Sequence, residues 1–85
     1  MPQVKIERIG EGQHPSEVVV AVRTADGGKE KLVVDQRSIR NESLDVGYPV
    51  GEDHDRLLVE LPRESLRGLW RVWVNRDSVT EDAAA

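Results

Sequence analysis

The sequence predicts an all-β fold, a small antiparallel five-stranded barrel or sandwich, and three observations carry that prediction. Val-Val-Val-Ala-Val at 18–22, Leu-Val-Val at 32–34 and Leu-Leu-Val-Glu-Leu at 57–61 are aliphatic, β-branched runs of strand length. Gly, Pro, Asn and Asp interrupt the chain at short intervals, where turns need their special backbone geometry. Asp26-Gly27-Gly28 stands between two of the runs, a strong hairpin signal because tight hairpin turns need positive φ.

The first strand is read from Val4, Ile6 and Ile9, which nearly alternate with Lys5, Glu7 and Arg8. Gly10 to Ser16, with two glycines and His14-Pro15, is a loop. The second strand starts near Glu17, and its 18–22 run, apolar on both faces, reads as a covered central strand. The third is expected from Lys29 to about Ile39, with Glu30, Leu32, Val34 and Gln36 on one face and Lys31, Val33 and Asp35 on the other.

Residues 40–55, carrying Asn41, Gly47, Pro49, Gly51 and an acidic run, read as one long loop with room for a short strand at 44–50. A fourth strand, Leu57 to Leu61, stops at Pro62, which cannot donate to a ladder. Pro62 to Leu66 suits a single helical turn, and Gly68 ends it. The fifth strand, Leu69 to Asn75, is expected to place Trp70, Val72 and Val74 inward and Leu69, Arg71, Trp73 and Asn75 outward.

One domain is thereby expected over 1–76, with a polar, disordered tail over 77–85. The sequence shows no internal repeat. The strand order resembles that of SH3-like barrels, which favours a barrel over a sandwich, although no residue motif of that family is matched.

At 85 residues a chain buries only about 60–65% of its unfolded surface, so its stability is expected to be modest. Charged residues make up 33% and apolar ones 38%, which implies a lean core under a heavily charged surface. With no cysteine there is no disulfide and no thiolate metal site. A net charge of −4 disfavours broad binding to nucleic acid or an anionic membrane, and no apolar run is long enough to cross a bilayer. The expected location is cytoplasmic.

No catalytic constellation is legible, so no enzyme activity and no cofactor are expected. There is no Gly-x-Ser-x-Gly, and His14 and His54 both fall in polar loops. Glu52-Asp53-His54-Asp55 offers metal-ligand types, but consecutive side chains of an extended loop point apart, so a solvated acidic turn is the expectation. Gly10 and Gly12 lack the Lys-Ser/Thr pair and helix that cradle a phosphate.

What remains is an asymmetry of charge and aromatics. Residues 42–55 carry Glu42, Asp45, Glu52, Asp53 and Asp55 with no base, whereas 63–76 carry Arg63, Arg67, Arg71 and Arg76 against Glu64. Such opposite stretches steer partners or pair with each other. An outward Trp73 beside arginine has the composition of an interface anchor. The candidate interaction surface is therefore Trp73, Leu69, Arg71 and Arg67, with Tyr48 nearby and Val19, Val33 and Leu58 as an outer apolar extension. The plainer alternative has Trp73 covered by the 40–55 loop or by arginine stems. The expected role is a non-enzymatic protein-interaction module whose partner is another protein or a second copy. Nucleic-acid binding through Arg63–Arg76 is the alternative, and metal-dependent activity at 52–55 the remote one.

Overall fold

The computed structural model describes residues 2–81. These form β1 (Pro2–Glu11), β2 (Glu17–Arg23), β3 (Lys29–Asp35), β4 (Ile39–Arg40), β5 (Ser43–Asp45), β6 (Gly51–Asp53), β7 (Arg56–Glu60), β8 (Arg71–Asn75) and β9 (Val79–Glu81), with 3-10 turns at Gln36–Ser38 and Arg76–Ser78. Every pairing is antiparallel. One sheet runs β3-β2-β1-β5-β4 with β9 also on β1, and a second runs β6-β7-β8. The all-β, antiparallel expectation holds, but the ladders among the described residues do not join into a closed barrel.

β1 organises the molecule. Its first half pairs with β5 and β9, and its second half pairs with β2 from Ile6 to Glu11, with a bulge between Arg8 and Gly10. Val4 and Ile6 point inward while Lys5 and Glu7 face water, the period-2 pattern of a half-covered strand.

The two halves of the chain repeat the same structure. Val4 pairs with Leu44, flanked by Gln3↔Asp45 and Lys5↔Ser43, so a shift of 40 residues exchanges the two strands of this ladder. The same shift carries Ile39↔Leu44 onto Val79↔Val4 and the first 3-10 turn onto the second. It also carries the bond from Ile6 N–H to Glu42 C=O (3.0 Å) onto that from Val46 N–H to Pro2 C=O (2.9 Å). The core follows the relation too, with a shift of 40 for the β1 and β3 positions and of 39 for those of β2. Val4, Ile6, Val18, Val20, Val22, Leu32 and Val34 from one half meet Leu44, Val46, Leu57, Val59, Leu61, Val72 and Val74 from the other, with Ile39 and Val79 packed against them. Contrary to the sequence reading, this is an internal repeat. It is hidden because core positions accept any aliphatic of similar volume, so the pattern persists while identities drift.

Other expectations need correction. The short strand expected at 44–50 is confined to β5 at Ser43–Asp45; 46–50 is a loop, and β6 follows it at Gly51–Asp53. No helical turn forms at 62–66, where irregular turns instead donate Leu66 N–H to Lys31 C=O at 2.8 Å. The tail expected to be disordered from 77 folds as far as 81, because Val79 takes the place on β1 that Ile39 takes on β5. Residues 82–85 lie outside the described residues.

Trp70 is also not a core residue. It is 56% exposed, whereas Val72 and Val74 are buried as expected. Alternation governs side chains only within a ladder, and that of β8 starts at Arg71. Pro62 cannot extend it, although Leu61 N–H still reaches Trp70 C=O at 2.8 Å.

Candidate interaction surface

Arg67, Leu69, Arg71 and Trp73 line one cleft of about 260 Å³ beside the tip of the β2–β3 hairpin. Tyr48 does not line it. It stands 69% exposed on the 46–50 loop. Val19 pairs with Val33 on the outer face of β2 and β3, while Leu58 pairs with Trp73 on that of β7 and β8. The expected single apolar strip is therefore two strips, equivalent under the internal repeat.

Trp73 projects from β8 opposite to Val72 and Val74 and is half-buried. Leu58 lies across the strand from it, and a Cβ on Gly51 would come within 3.7 Å of its ring, so the indole lies over bare β6 backbone. Arg56 caps the exposed face, its guanidinium carbon 4.9 Å from the ring centroid. The arginine-stem alternative thus describes Trp73 in part. Arg56 carries no signal in the sequence because its partner lies 17 positions away, on another strand.

The opposite wall holds Thr24, Asp26 and Glu30. Glu30 is only 3% exposed, pointing inward with Leu32 and Val34. A carboxylate there needs a partner, and Arg67 supplies one with a forked contact to both oxygens, Nε to Oε1 at 3.3 Å. That guanidinium holds the Glu30 carboxyl below the usual carboxylate range, outweighing the burial that pushes it up, with Ser65 assisting. The same contact raises Arg67. Asp26 is held down by the Thr24 hydroxyl and by Gly28 N–H at 3.0 Å.

Ser65 positions the loop that carries Arg67. Its buried hydroxyl accepts from Arg67 N–H at 3.3 Å and Leu69 N–H at 3.1 Å, and Gly68 takes the positive φ of 91° that the turn requires. Bound this way, the loop leaves Leu66, Leu69 and Trp70 exposed, with Leu69 lining the cleft. Under the internal repeat Trp70 corresponds to buried Glu30, while in the turn before it the shift is 41: Gly68 N–H bonds Ser65 C=O as Gly27 N–H bonds Thr24 C=O, and both glycines take φ 91°. Exposure of Leu66 and Trp70 is the feature that sequence reasoning missed. Glu30 did leave a signal there, as a charge in phase with Leu32 and Val34.

The arginine-rich stretch is neutralised throughout. Arg63 faces Glu17 at 3.9 Å, Arg67 bonds Glu30, Arg71 meets Glu60 at 3.2 Å and Arg76 meets Glu52 at 2.8 Å. In the acidic stretch Glu42 pairs with Arg8, Asp45 with Arg40 and Asp53 with Arg56. Among the described residues Arg76 joins the two stretches, pairing with Glu52 and donating to the His54 carbonyl at 2.7 Å and, through its own backbone N–H, to the Asp55 carbonyl at 2.8 Å. His54 is exposed, and among the described residues no group of three or more His, Cys, Asp or Glu side chains is placed to hold a metal ion. No helix among them is long and apolar enough to cross a membrane.

Family models, characterised proteins and solved structures were compared with this chain, and none matches.

Proposed function

We propose that this chain is a non-enzymatic protein-interaction module that docks a protein segment on the cleft between Trp73 and Glu30. The observation that carries the reading is the loop before β8: Leu66, Leu69 and Trp70 stand exposed on one hydrogen-bonded segment beside arginines, and Leu69 lines the cleft. Exposed Trp near Arg is the composition of interface hot spots, and a loop held by Ser65 loses little freedom on binding. A cytoplasmic location and an SH3-like arrangement of the strands belong to the same reading.

Nucleic-acid binding is the weaker alternative, because Arg63, Arg67, Arg71 and Arg76 each already face a carboxylate. Binding a phosphate backbone would have to displace those carboxylates. A low-salt titration with a fluorescent oligonucleotide is expected to show no binding.

The direct test places a photo-crosslinking residue at 69 or 70, with a control at Asn41. The expected result is a discrete protein adduct from these loop positions and none from the control, lost in Trp73→Ala. If Trp73→Ala stays folded and leaves adducts and oligomeric state unchanged, the reading fails.

A further inference from the structure

We infer that the two halves of this chain exchange with those of a second copy, opening the turn at Asn41-Glu42 and forming a reciprocally swapped dimer. This inference is independent of the cleft reading and rests on the internal repeat and its hinge.

The halves are joined only by the two-residue turn between β4 and β5, where Arg40 pairs with Ser43. Both turn residues are left-handed, Asn41 at φ 52° and Glu42 at φ 57°. Asn tolerates that region, but Glu is disfavoured there by its Cβ, and Asn-Gly is the pair such hairpins prefer. Straightening the turn fuses β4 and β5 into one strand and relieves Glu42. A short, strained hinge is the setting in which domain swapping arises.

The exchanged form loses almost nothing else. Each half contributes seven side chains to the shared core, so every contact between halves can re-form with the equivalent half of another copy. The molecule already holds one such junction without a connecting turn: β9 pairs with β1 as β4 pairs with β5, yet no turn links Val79 to Val4. Two contacts keep the hinge shut, the Arg8–Glu42 ion pair at 3.2 Å and the bond from Ile6 N–H to Glu42 C=O. They set the barrier to exchange and leave the two end states nearly matched.

The chain has no cysteine, so an introduced pair reports cleanly. Gln3 and Asp45 face each other across β1 and β5, with their side chains 3.0 Å apart, in a position that suits a disulfide. In the closed monomer Gln3→Cys/Asp45→Cys gives an intrachain bridge, and in the exchanged dimer it gives an interchain bridge. After refolding at rising protein concentration, a non-reducing gel is expected to show a growing fraction of covalent dimer. Glu42→Gly, which makes the preferred Asn-Gly turn, should lower that fraction by about fivefold or more. Glu42→Pro, whose ring forbids positive φ, should raise it, and Arg8→Ala should raise it as well. Intrachain bridges alone at every concentration overturn the inference. So does a dimer in light scattering whose bridges are all intrachain, or a covalent-dimer fraction indifferent to Glu42→Gly.

Discussion

Glu30 and Trp70 occupy equivalent positions in the two halves with opposite fates, one sealed beneath a guanidinium and the other left in water. Because Arg67 holds the folded-state pKa of Glu30 below its ordinary 4.5, the stabilisation is fully present above that value and is lost as pH falls through the folded-state pKa. Glu30→Gln should therefore cost about 1–2 kcal/mol at neutral pH, discounted for the exposed Arg67 end. Denaturant midpoints of variant and wild type should converge in acid; a constant gap down to pH 3 (roughly a unit below the ordinary carboxylate value) would exclude this role for the ion pair. The indoles differ in a way that iodide quenching can read. Trp70→Phe should remove most of the quenchable emission and leave the signal of Trp73, which lies between Gly51 and Arg56. Equal quenching of the two rings would contradict the arrangement.

At the scale of elements, the turns decide what the strands can do. A Cβ on Gly12 would fall 2.6 Å from the Glu17 Cβ and 3.1 Å from its carbonyl carbon, whereas one on Gly10 would meet nothing within 4 Å. Gly12→Ala should cost about 1–3 kcal/mol, because backbone must shift. Gly10→Ala should stay within about 0.5 kcal/mol of wild type, and thermal melts of the pair check the contrast. The long strands β2, β3 and β7 were legible in the sequence because each is an aliphatic run closed by Gly or Pro, and the hairpin at Asp26-Gly27 declared itself. The short strands were not. β4, β5, β6 and β9 have two or three residues each, and their identity lies in partners 40 or more positions away or in the neighbouring turn. Arg67, Leu69, Arg71 and Trp73 were legible as one patch because β8 and its preceding loop bring sequence neighbours together. The opposite wall is set by tertiary packing: the charge of Glu30 in phase with Leu32 and Val34 is its one local trace, and nothing local names Arg67 as the partner.

As a whole the molecule is a flat body of 39 × 32 × 17 Å whose core contains only Val, Leu and Ile. With no aromatic side chain in that core, its stability should sit within the ordinary range of about 4–13 kcal/mol for its length. All nine arginines are ion-paired, mostly at exposed sites, so salt should change that stability little. A steep loss in high salt would show that the pairs carry more than such contacts usually do. The matched junctions have one more consequence, for chain connectivity. Thr80 sits opposite Gln3 as Arg40 sits opposite Ser43, so a two-residue Asn-Gly link from Thr80 to Gln3, with the backbone cut between Asn41 and Glu42, yields a circular permutant. Its halves would run in reversed order through an unchanged fold, and its melting curve would report directly what the left-handed Glu42 costs.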